Sequence, residues 1–134
     1  MSNAIVPGLV RIASSHPLER TLERLESLLA ERGIQVFARI DFSGDAARAG
    51  LTLRAERLLI FGNPKAGTPL MQHAPTAGID LPLKALVWED GGGGTWIAYN
   101  DPRYLIERHG LEATLAANLT AVIPLIERAA AAAD

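Results

Sequence analysis

Arg57-Leu58-Leu59-Ile60-Phe61-Gly62-Asn63-Pro64-Lys65-Ala66-Gly67-Thr68-Pro69-Leu70-Met71 reads as a buried strand, an abrupt stop and the start of a helix. The continuous apolar run Leu58–Phe61 suits a strand covered on both faces. Gly62, Asn63 and Pro64 end it, because glycine and asparagine favour turn geometry and proline has no amide to give a ladder. Thr68 is the expected N-cap of a short helix that continues through Pro69, Leu70, Met71 and Gln72. The segment therefore delivers backbone amides, a lysine and a hydroxyl to the end of a central strand.

Upstream, Leu9–Ala13 suits a first strand. Leu18, Leu22, Leu25 and Leu29 then recur at steps of three and four, with Arg20, Glu23, Arg24 and Glu31 largely on the other face. That spacing predicts an amphipathic helix opened by Pro17 and closed by Gly33. From Ile34 the period falls to two: Ile34, Val36, Ala38 and Ile40 alternate with Gln35, Phe37, Arg39 and Asp41, a half-buried strand. Ser43–Ala49 is read as a loop with a helical turn. Downstream, Lys84–Glu89 and Thr95–Tyr99 flank Asp90 and four glycines, which predicts a hairpin. A short helix is expected over Pro102–His109. A last helix, from about Leu111 to the chain end, carries Leu111, Leu115, Leu119, Val122 and Ile126 on one stripe and is expected to kink or break locally at Pro124. Strands clustered between two long helices predict an α+β fold: a two-layer sandwich with a mainly antiparallel sheet of about five strands and long helices on one face.

The 134 residues suit one domain, expected over 5–130, and 49% apolar residues suffice for a core without staples. A net charge of −2 offers no electrostatic footprint for nucleic acid or an anionic membrane. The absence of cysteine removes disulfides, thiol nucleophiles and thiolate metal sites, and a cytoplasmic location is expected. No run approaches the length of a membrane span, and Met1–Gly8 lacks a signal-peptide pattern. Ser2-Asn3-Ala4 is set aside as a tag remnant, and the terminal alanine run is read as a fraying helix end.

Gly62–Thr68 nearly spells a phosphate-binding loop, but the lysine that should precede the threonine lies at Lys65 instead, so a strand-exit turn is the stronger reading. Free amides at the start of the helix at Thr68 would still suit a small anion. His16, His73 and His109 stand singly, without metal-site spacing, so no metal and no cofactor are expected. Asp41 and Asp80 lie at strand ends, where a carboxylate either divides acid and base work with a partner or bonds its own turn. Trp88 and Tyr99 on the hairpin either line an apolar pocket or belong to the core.

The blocks Thr21–Leu25, Val36–Asp41, Leu59–Met71, Gly78–Lys84, Val87–Asp90, Tyr99–Pro102 and Arg108–Leu111 together resemble the family catalogued as domain of unknown function 302. The resemblance spans nearly the whole chain, and Phe61-Gly62-Asn63-Pro64 and Asp80-Leu81-Pro82-Leu83 are its most specific pieces. Phe42 stands where many relatives carry histidine, so a role for that imidazole is absent. The resemblance implies a TATA-binding-protein-like, helix-grip-like fold in strand-helix-strands-helix order, and a homodimer. It brings no activity, substrate or cofactor.

Three functions remain open. The first is a non-enzymatic small-ligand-binding or interaction module, with Asp41, Asn63, Lys65, Thr68, Asp80, Lys84, Trp88 and Tyr99 as candidate ligand contacts. The second is an enzyme gathering Asp41, Asn63, Lys65, Asp80 and Lys84. The third is a structural dimer module using the exposed face of the last helix or a sheet edge.

Overall fold

The computed structural model describes residues 5–132, so the readings of Ser2–Ala4 and of the last two residues lie outside it. Five strands form one antiparallel sheet: β1 (Leu9–Ser14), β2 (Gln35–Asp41), β3 (Glu56–Gly62), β4 (Leu83–Glu89) and β5 (Thr95–Asn100). Their spatial order is β1-β5-β4-β3-β2, which makes β1 and β2 the edges. The strand at Leu58–Phe61 is thus inside the sheet, as its unbroken apolar run requires. The predicted hairpin is β4–β5, with Trp88 opposite Trp96 and Val87 opposite Ile97.

Helix α1 (Leu18–Glu31) lies on one face of the sheet with its leucine stripe inward. Leu18, Leu22, Leu25, Leu28 and Leu29 join Leu59, Phe61, Ala85, Val87, Ile97 and Tyr99 in the main core. The far end of the chain completes this layer through α6 (Ile123–Ala130), which contributes Leu125, Ile126, Ala129 and Ala130. Two layers result, with the helices of the main core on one side of the sheet.

Three expectations are corrected. The last helix is not continuous: a 3-10 turn (Ala113–Ala116), α5 (Ala117–Thr120) and α6 follow one another. Pro124 cannot donate to the carbonyl four residues earlier, and the interruption expected there is a break at Ala121-Val122. Ser43–Ala49 is mostly helix α2 (Phe42–Arg48), started by Asp41, whose side chain accepts from the Gly44 amide. The alternation of β2 also fails midway. A register shift at Phe37 puts Val36 opposite Phe61 but Arg39 opposite Leu59 and Asp41 opposite Arg57. Directly paired residues share a face, so Val36 faces the helices whereas Ala38 and Ile40 face away. Arg39 duly reaches across to Glu26 of α1, at 2.9 Å through Nε.

The C-terminal carbonyls of α6 are satisfied largely from α1 and the loop before it, although Arg128 O also accepts from the Ala131 amide at 3.2 Å. Arg24 donates to Ala129 O (3.1 Å) and Arg128 O (2.6 Å), the Ser15 amide to Ala130 O (2.8 Å) and His16 Nε2 to Ala131 O (2.6 Å). A cation at this helix end also suits the dipole. Arg24→Ala should therefore cost about 2 kcal/mol, because it strands the buried Ala129 carbonyl and removes one of the two donors to Arg128 O. Urea denaturation should show a lower midpoint; an unchanged midpoint would mean that the guanidinium contributes nothing to the docking of α6.

Candidate functional site

The stop after β3 does not lead into a loop. Helix α3 (Pro64–His73) begins at once, capped by Asn63, whose side-chain oxygen accepts from the Lys65 amide at 3.0 Å. Thr68 is therefore inside the helix rather than its cap. Because the helix begins at Pro64, Thr68 does not offer a helix start for an anion, and in the first turn the amides of Ala66 and Gly67 both donate to Asn63 O. The near match to a phosphate loop is a helix turn.

Helix α3 packs sideways rather than onto the sheet. Leu70 joins Ala77, Leu105, Ile106 and Leu119 in a second apolar cluster, which α4 (Pro102–Arg108) and a 3-10 turn (Pro75–Ile79) complete. Leu83 packs against both clusters. Along the seam between them the facing residues are small, Gly62, Ala66, Gly67 and Ala121, and a cavity of about 460 Å³ is left. Its floor is the buried Leu119, Val122 and Leu125; its rim is the exposed Arg32, Phe37, Asn63, Thr68 and Met71. Asn118 ties the α5 wall to α3 by donating to Ala66 O at 3.1 Å. Among the described residues, no aspartate, glutamate, histidine or lysine lines the space. Its size and its apolar walls with a few polar groups are those of a small-molecule pocket.

Of the candidate contacts, Asn63 and Thr68 are on this rim, and Lys65 lies between the lining residues Pro64 and Ala66 without joining them. The others are elsewhere. Asp41 pairs with Arg57 at the opposite end of β3, about 17 Å along the strand from Gly62. Asp80 accepts from Arg108 at 2.9 Å and from His109 Nε2 at 2.6 Å. Lys84 donates to Pro82 O at 3.1 Å. Trp88 is on the sheet face away from the helices, whereas Tyr99 is in the main core, where burial raises its hydroxyl pKa. The five-residue acid–base constellation is not brought together.

Histidine 109 is not the surface residue its isolation in the sequence suggests. Its ring is held between Asp80 and Thr76, whose hydroxyl is 2.9 Å from Nδ1. A hydroxyl, an imidazole and a carboxylate in series is a nucleophile's arrangement. Thr76, however, adjoins neither the large cavity nor the small recess of about 10 Å³ beside Asp80 and Lys84. In this position the chain fastens the Pro75–Ile79 turn to the end of α4. The residues that sequence reasoning missed are Arg32, Asn118, Leu119, Val122 and Leu125; the kink signalled by Pro124 was the available clue to the wall at Ala121-Val122.

Two carboxylates carry pH dependence. Asp90 is held below the usual carboxylate range by the Trp96 indole N–H first and then the Gly94 amide; Asp41 by the Gly44 amide, then the Ser43 hydroxyl. A folded pKa below the unfolded value of about 3.9 stabilises the fold above that pH, and the contribution is lost as pH falls through the folded pKa. Asp90→Asn should therefore melt below the wild type at about pH 6, with the gap closing toward about pH 3. A gap that stays constant in calorimetry would show that the charge on Asp90 is not what matters.

Comparison with known proteins places this geometry among relatives. The sequence model of the family described as "Domain of unknown function DUF302" matches residues 10–130. Proteins named fluoride-specific ion channel FluC 1, from Brucella suis and Brucella abortus, are each 46% identical over 111 residues, 83% of this chain. The chain spans less than half of their lengths, 44% and 41% respectively. The crystal structure of an uncharacterized conserved protein DUF302 from Bacillus stearothermophilus superposes with a TM-score of 0.77 at 20% identity. It covers 93% of this chain and 97% of that one, a likeness of fold.

Proposed function

The chain belongs to the DUF302 family, and on that premise we propose that it is a non-enzymatic module that holds a small, largely apolar molecule in the cavity beside α3. The observation that carries this reading is the cavity of about 460 Å³ with buried leucine and valine at its floor and polar groups at its rim. Among the described residues Arg32 is the one ionisable group in the lining, which leaves no acid–base pair there at a bound molecule. The ion conduction in the names of the Brucella proteins stays with those longer proteins; among the described residues no helix is long and apolar enough to cross a membrane.

Gly67 adds a second support. Glycine inside a helix costs roughly 0.5–1 kcal/mol relative to alanine. A Cβ here would meet Leu81 Cδ1 at 3.7 Å, an ordinary contact, and the backbone is not in the left-handed region. Packing does not demand glycine; an open cavity wall does. Gly67→Ala should raise stability by roughly 0.5–1 kcal/mol, whereas Gly67→Phe should fill the cavity. Titration with the uncharged probe N-phenyl-1-naphthylamine should show saturable fluorescence on the wild type and at least a roughly ten-fold loss in Gly67→Phe, since the apolar area the probe buries is then gone. Equal binding by both proteins would sink the cavity as the site.

The dimer expectation continues as a second proposal, on a different observation. Ile40, Leu58, Ile60 and Leu86 are half-buried on the sheet face away from α1 and α6. An apolar face of this kind suits a second copy, which would meet it isologously. Leu86, paired with Leu58 and Ala98, is central in that face. Leu86→Glu should halve the mass measured by light scattering; a wild-type protein already monomeric at micromolar concentration would end this reading.

A further inference from the structure

We propose that the cavity selects an amphipathic anion, an apolar tail carrying one carboxylate, with Arg32 as the group that reads the carboxylate. This rests on the cavity reading above and adds the chemical class of the ligand. Arg32 is the C-cap residue of α1, exposed at the cavity rim. Other arginines are committed: Arg39 to Glu26, Arg57 to Glu19, Arg108 to Asp80, Arg24 to the end of α6. Among the described residues, no hydrogen bond or ion pair occupies the Arg32 guanidinium. Among the described residues, no carboxylate lines the cavity to neutralise it.

The polar and apolar parts are also ordered in depth. Leu119 and Leu125 are each 2% exposed and Val122 8%, so the inner end offers only hydrocarbon. Arg32, Asn63 and Thr68 are at the solvent end. The Asn63 oxygen is used by the Lys65 amide, which leaves its NH₂ for a ligand, and the Thr68 hydroxyl has no partner among the described residues. Donors at the rim and none at the floor fit a molecule that enters tail first and leaves an acceptor-only head outside. Guanidinium matches a carboxylate with two parallel hydrogen bonds and has nothing to offer an ammonium. A cationic amphiphile would meet uncompensated positive charge.

Calorimetric titration with octanoate and with 1-octanol separates the terms, because the two share a tail and differ in charge. The wild type should bind octanoate roughly ten-fold more tightly than octanol, and Arg32→Gln should erase that ratio while leaving octanol affinity unchanged. Arg32→Lys should keep part of the preference, since it keeps the charge and loses the planar fork. Octanoate should bind about fifteen-fold more tightly than hexanoate, roughly four-fold for each added buried methylene. Octanol binding as tightly as octanoate, or Arg32→Gln keeping the full ratio, would overturn the anion inference and leave the cavity reading standing. Failure of both compounds to bind or to displace N-phenyl-1-naphthylamine would overturn the two together.

Discussion

Asn63 decides where the chain goes after its central strand, and the site follows from that. Its side chain caps α3 and its own carbonyl takes the Ala66 and Gly67 amides, so the helix starts with no intervening loop. The helix launched at the end of β3 does not fold back over the sheet. Leu70 is driven instead into a separate cluster with Leu105, Ile106 and Leu119. The domain then has two apolar centres joined by Leu83, and a seam between centres is where close packing is hardest to complete. Small residues at Gly62, Ala66, Gly67 and Ala121 leave that seam open.

The opposite wall is fixed by a different device. The end of α6 is gripped by Arg24 and by the loop before α1, and Ile126 is fully enclosed in the main core. Pro124 frees the preceding turn from helical register, so Ala121 and Val122 face the cavity rather than continuing a straight stripe. One wall therefore belongs to the rigid core and the other to α3, a helix with Gly67 and Pro69 in its interior. Stability and access are divided between the two clusters, so the proposed binding need not loosen the main core.

Much of the fold was legible because its cause is local. The stripe of leucines in α1, the apolar run of β3 and the glycine turn of the β4–β5 hairpin each declare themselves within a few residues. The bulge at Phe37 was not legible, since an extra residue in one strand is defined only by its partner, here Phe61 and Ile60 of β3. The site was legible only in part. Asn63 and Thr68 stand out beside a turn, but Arg32, Asn118 and Leu125 reach the cavity from segments far apart in sequence. Histidine 109 shows the same limit, because its partners Thr76 and Asp80 lie about thirty residues away.

The central claim is that apolar ligands enter at the seam between the two clusters. Intermolecular nuclear Overhauser contacts between 1-octanol and the protein's methyl groups would locate the tail directly. Contacts to Leu119, Val122 and Leu125 are the predicted result. Contacts confined to Leu58 and Leu86 on the far sheet face would contradict the account, placing the apolar affinity of this protein on its outer surface instead.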